Sequence, residues 1–511
     1  MQKPMSSYLV MLAIGDFVKK TETTTSGTIL EYYLDRKDSL KFEPTYRHSK
    51  QIFEFLEQEI GIEYPWEVYR QVPVRDFLYA GMENTTATIF SQDFVVDAVG
   101  YNDKNYENVN AHELAHQWFG DLVTAKESKH HWLQEGFATY YALLAEQSVF
   151  GDDYFYHQLW QMANQLNEAQ AYDTEPILSE KASSLTFYKK GAWALHILRE
   201  EIGASNFKKA VKNYLKKYQY KNVDTDEFLA EIKCVSKDFD IKSYKKNWLE
   251  TPAFDFQSVQ KYLSKASFLP LLYEVISNAE IPYESKKQRF EAIMQSNVYF
   301  PVKKEILYQC EVVPFEEKKE LIELALATNN LEVRQAVAQT IHEIPEDFKT
   351  QFESLLSDKS YITQEIALFK LWNNFKSSQL TYVQLSNNWK GLNYNLKIAN
   401  LTLKLVTKQI TALEKKNAID ELEKMTQLPY ESGVRQAAME TLFSLGLPSE
   451  QLLISVLEAT LHHRWQFVKF GKEKIRMLLS DDETRKAYLR LQPQLSEKLQ
   501  NRLQTFLDET K

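Results

Sequence analysis

Two cysteines in 511 residues, Cys234 and Cys310, rule out a disulfide framework and a thiolate metal site. Any metal held by this chain must sit on histidines and carboxylates. Cysteine poverty also fits a reducing compartment, so a soluble and slightly cytoplasmic reading is favoured. Long apolar runs are missing too. The longest early one, "YLVMLAIG", falls far short of the ~18 residues a membrane span needs, and it has neither a basic leader nor a small-residue cleavage site. Excess positive charge is absent: 61 Lys and Arg stand against 70 Asp and Glu, a net −9. Nucleic acid is therefore not an expected partner, because its recognition needs a basic footprint. Histidine is scarce at ten, yet four of the ten lie between Ala111 and Tyr141.

At this length one hydrophobic core does not suffice, since single cores stop growing near roughly 250–300 residues. The first part reads as α+β. "SSYLVMLAIGD", residues 6–16, has the look of a strand, as does "GTILEYYLD" after the turn-rich "TETTTSG". "YRHSKQIFEFLEQEIG" turns to helical periodicity, with His48 at the helix start. "YPWEVYRQVPVRDFLYAGMEN" reads as extended segments. Past residue 255 the strand patterns fade. "NNLEVRQAVAQTI", "SYITQEIALFKLW" and "ESGVRQAAMETLF" share a polar start followed by apolar residues at helical spacing. That texture predicts an all-α repeat domain of HEAT-like or bundle type over 256–511, built from helices that cannot bury their apolar faces alone.

The histidine cluster opens with "HELAH". On a helix, His112 and His116 project from one face, one turn apart, and Glu113 beside them can reach a water on the same metal. Eighteen residues later comes Glu135, in "WLQEGFATYY", at the head of a second predicted helix. Two imidazoles and one carboxylate leave a fourth tetrahedral position open, the pattern of a catalytic rather than a structural zinc site. His130 and His131 are expected to be polar loop or cap residues beside the site, with the alternative that His131, four residues before Glu135, shares its face and supports it; His157 is expected to be a bystander.

His-Glu-x-x-His, eighteen residues and Glu, together with "AGMEN" (80–84), "HQWFGDLVT", "WLQEGFATYY" and "YKKGA", resemble the gluzincin zinc aminopeptidases of the aminopeptidase N and leukotriene hydrolase type. The resemblance covers roughly residues 5–255. It implies a thermolysin-like, mainly helical catalytic domain over 18–255, one zinc ion on His112, His116 and Glu135, and Glu113 as catalytic base. It also implies that Tyr188 stabilises the oxyanion. Gly81, Met82, Glu83 and Asn84 would bind substrate, Glu83 gripping the free α-amine of a peptide. Three departures stand out: Ala142 replaces a carboxylate usual in the family, with Glu146 one turn further on; Gln134 replaces an Asn; and residues 1–17 resemble only the last strand of a β-rich domain that members carry first. The expected function is zinc-dependent removal of N-terminal residues from peptides. An epoxide-hydrolase-like activity, or a zinc-binding but weakly active scaffold, stays open as an alternative.

Overall fold

The computed structural model describes residues 3–509 and divides them into two compact units. The first takes the chain to Val74, then Tyr79–Ile281 and Asn297–Glu305; the second takes Arg75–Leu78, Pro282–Ser296 and the chain from Ile306.

The first unit is mainly helical around a small sheet. Its strands are β1 (Phe17–Thr23), β2 (Ile29–Asp35), β3 (Val68–Val74), β4 (Gly81–Met82) and β5 (Ala87–Ser91), in the order β1-β2-β3-β5-β4. The β2–β3 and β3–β5 pairs are parallel, and the two outer pairs antiparallel. Alternation makes β2 a strand: Leu30, Tyr32 and Leu34 are buried while Glu31 and Tyr33 between them are not. Helix α1 (Ser49–Ile60) buries Ile52, Phe53, Leu56 and Ile60, a stripe at the helical period. Two later helices carry the chemistry, α2 (Glu107–Ala115) and α3 (Trp132–Phe150). Every residue of α3 from Trp132 to Glu146 is buried, so this helix runs through the core rather than over it. Helices α4 (Asp152–Ala169) and α5 (Gly191–Ile202) complete its surroundings.

Two sequence expectations change here. Residues 6–16 do not make a strand: a 3₁₀ turn, Ser7–Leu9, leads into chain without sheet pairing, and β1 starts only at Phe17. The apolar run is real, but Val10, Leu12 and Ile14 are 67%, 83% and 87% exposed. An apolar run becomes a strand only when a partner strand pairs with it, and none does so among the described residues. The first unit also continues past residue 255. Helix Phe256–Leu263 packs on α4 and α5 and buries Val259 and Leu263, which extends this unit to Ile281.

The second unit is helical, and no strand follows Val223 among the described residues. The three look-alike stretches are helices Leu331–Thr340, Tyr361–Asn374 and Ser432–Ser444. Asn330 and Ser360 cap the first two by accepting from the amides of Val333 and Thr363. Corresponding apolar positions are buried: Val337 and Ala338, Ala367 and Leu368, Ala438 and Met439.

Candidate metal centre

Helix α2 sets His112 and His116 one turn apart with their Nε2 atoms 3.1 Å from each other. Glu135, in the first turn of α3, brings Oε2 to 3.3 Å from His112 Nε2 and 3.2 Å from His116 Nε2. Three ligands at bonds of about 2.0–2.1 Å on a tetrahedral ion stand roughly 3.3 Å apart, so this triangle has the right edge lengths. Glu135 Oε2 is buried and has no hydrogen-bond partner. A buried, unpartnered carboxylate oxygen facing two imidazole nitrogens suits a cation.

Partners behind the ligands aim them. His116 Nδ1 lies 2.9 Å from the carbonyl oxygen of Phe119, to which only an N–H can donate, and this leaves the Nε2 lone pair for the metal. His131 Nε2 stands 3.2 Å from Glu135 Oε1. Of the two sequence expectations for His131, the structure thus takes the alternative, support of Glu135, over the plain cap. It does precede α3, but one turn of helix brings its ring onto the ligand carboxylate, holding one oxygen while the other faces the histidines. His130 is bound to Thr225 Oγ1 at 2.9 Å and plays no part at the metal. His48 precedes α1 and pairs with Glu107, and His157 sits in an aromatic cluster with Trp160, Tyr299 and Phe300.

Glu113 is buried on α2, and burial pushes its carboxyl well above the ordinary range; His116 opposes this and Glu83 adds to it. Its side chain lies directly over Gly81. A Cβ on Gly81 would come to 2.5 Å from Glu113 Cγ. The glycine therefore makes room for the Glu113 side chain, a physical reason distinct from the substrate binding that the resemblance implies.

Gln117, five residues after His112, was not singled out from the sequence. It is fully buried, and its amide donates to the carbonyls of Glu83 (3.3 Å) and Asn84 (3.4 Å). Its oxygen accepts from the Thr86 amide at 2.9 Å. One side chain thereby fastens the segment carrying Glu83 to the end of the metal-binding helix. The available signal was a polar residue continuing a buried helical motif. Asn84, by contrast, does not face the site. It is buried and donates to the Leu9 carbonyl at 3.0 Å, which corrects its expected place among the substrate-binding residues.

Tyr188 lies in a π-helical turn, Thr186–Lys190. Such turns re-aim one side chain out of helical register. Its ring is parallel to that of His112, 4° between planes and 5.5 Å between centroids, and its phenol is pushed up by burial and by Glu135. The approach is possible because Gly136 and Gly191 meet backbone to backbone, a Cβ on Gly136 falling 3.1 Å from Gly191 Cα. A cavity of about 650 Å³ joins these parts. Gly81, Met82, Glu83, Glu113, Glu135 and Tyr188 all line it.

At the family's second carboxylate position Ala142 is fully buried, and Glu146 points elsewhere. Glu146 accepts from Asn108 Nδ2 and Tyr154 Oη, both at 2.7 Å, and burial raises its carboxyl from 4.5 to about 7. A folded-state value above the unfolded one means stability present below about pH 4.5 and lost as pH rises through 7. The shift corresponds to about 3 kcal/mol. Glu146→Gln should therefore gain stability over the parent by about that amount at pH 8 and show little difference at pH 4.5. Thermal denaturation at both pH values checks this; a parent-to-variant gap that does not change with pH would reject it.

Residues 45–248 match the model of the peptidase family M1 domain. Over 251 residues the chain is 30% identical to endoplasmic reticulum aminopeptidase 2 of Homo sapiens, a match covering 46% of this chain and 26% of that protein. Over 289 residues it is 29% identical to leucyl aminopeptidase of Saccharolobus solfataricus, covering 54% and 37% respectively. The matched stretch thus spans about a quarter to just over a third of these relatives. Among solved structures, native leukotriene A4 hydrolase from Saccharomyces cerevisiae aligns with a TM-score of 0.49 and 16% identity, over 90% of this chain and 66% of that one.

Proposed function

From the match of residues 45–248 to the peptidase family M1 domain, we propose that the chain is a zinc-dependent aminopeptidase acting on peptides with a free N-terminus. The observation that carries the reading is the triangle of His112, His116 and Glu135, with Glu113 and Glu83 in the same cavity. Zinc held there would supply Lewis acidity toward the scissile carbonyl and toward water. Glu113 takes the proton of the attacking water and hands it to the leaving amine, for which its buried, raised carboxyl suits it; the charge of a bound cation nearby draws it back toward ionisation. Tyr188 donates its phenol hydrogen to the oxygen that gains charge in the transition state. Glu83, on the strand segment that Gln117 fastens to the metal helix, takes the α-ammonium group and so places the first peptide bond at the metal.

The test uses zinc-loaded protein and a panel of aminoacyl amides and short peptides, free and N-acetylated. Free amines are expected to be cleaved at least a hundredfold faster. Equal rates would remove the exopeptidase reading, and no cleavage at full zinc occupancy would remove the peptidase reading altogether.

A further inference from the structure

Glu83 offers one carboxylate to an ammonium group whose three N–H donors point in different directions, which leaves room for a further acceptor at the seat. A second candidate comes from outside every motif. Tyr8 belongs to the 3₁₀ turn Ser7–Leu9, whose consecutive side chains part: Leu9 is 1% exposed, while Tyr8 lines the metal cavity and is 52% exposed. The turn is fastened in place by the hydrogen bond from Asn84 to the Leu9 carbonyl, so the residue after Glu83 holds the residue after Tyr8. Tyr8 shares the lining of this cavity with Glu83, Glu113 and Glu135. Burial, then Glu83 and Asp121, push the phenol up, so it remains a neutral hydroxyl at working pH. A hydroxyl-bearing side chain that shares a cavity with three carboxyl groups favours a cationic donor over an anion.

We propose that Tyr8 contacts the substrate: its hydroxyl oxygen accepts from the peptide's α-ammonium group beside Glu83, and its ring walls the position of the first side chain. The assignment rests on the aminopeptidase reading. It gives the turn at residues 7–9 a role in substrate binding, and gives Asn84 the role of positioning that turn.

The experiment compares the full zinc-loaded chain with Tyr8→Phe and Tyr8→Ala. Calorimetry measures binding of L-leucine and of 4-methylpentanoate, which lacks only the amine; kcat and KM are measured with leucine amide. Tyr8→Phe should weaken L-leucine about fivefold and 4-methylpentanoate less than twofold, and Tyr8→Ala should weaken L-leucine tenfold or more. KM should rise by similar factors with kcat within about threefold, at parental zinc content. Binding of L-leucine by Tyr8→Phe within twofold of the parent would overturn the proposal, as would equal losses for the two ligands or a parent that does not bind L-leucine. If the parent binds L-leucine but cleaves no amide, the aminopeptidase reading fails, while the binding comparison still decides Tyr8. Tyr8→Phe removes only the hydroxyl, so the result does not depend on the alanine variant folding.

Discussion

Glu113→Gln is expected to keep its metal and lose a hundredfold or more in turnover. Glutamine has the same shape, so it fits the space that Gly81 leaves open and does not disturb His112 or His116 on the same helix. What disappears is the ability to take a proton from water and return it to the departing amine. A positioned acid–base group is typically worth ~10²–10⁴ in rate. The loss should fall on kcat far more than on KM, because the proton is in flight only in the transition state. Elemental analysis for zinc and steady-state kinetics on one aminoacyl amide decide the matter together. Parental kcat in a fully loaded variant would take Glu113 out of the chemistry.

Glu135→Ala should lose the metal itself. Glu135 Oε2 is the third corner of the ligand triangle and the only charged one, and without it two neutral imidazoles remain. The internal contrast is His131→Ala, which removes the partner of Oε1 but leaves all three ligands. Loss of such an outer partner costs ~10–100-fold in metal affinity, and loss of the ligand should cost more. Chelator-competition titrations on both variants give the order. Parental zinc affinity in Glu135→Ala would refute its assignment as a ligand, and an affinity as low in His131→Ala would mean that both residues act through folding.

The parts of this protein readable in its amino-acid order are those whose geometry repeats within one element. His112, Glu113 and His116 share a face of a helix because 3.6 residues make a turn, whatever surrounds them. The stretches around Ala336, Ala367 and Ala438 announce buried helices for the same reason, since an apolar period is a property of the element itself. Strands depend on partners, which is why "YLVMLAIG" has the apolar look of a strand and still pairs with nothing among the described residues. Orientation across elements is equally invisible along the chain. Asn84 sits inside a recognisable motif, yet its amide turns to Leu9, 75 residues away. Gln117 looks like an ordinary residue after the histidines until the fold brings the carbonyl of Glu83, 34 residues earlier, within its reach. His131 is the contrasting case: four residues before Glu135, it had the spacing to reach the carboxylate, and the fold takes that alternative over the plain cap. Side-chain hydrogen bonds act over about 3 Å in space and carry no trace of their partner in sequence. The candidate ligands could therefore be named from spacing, but which residues brace them, and which line the cavity beside them, emerged only when the strands and helices packed.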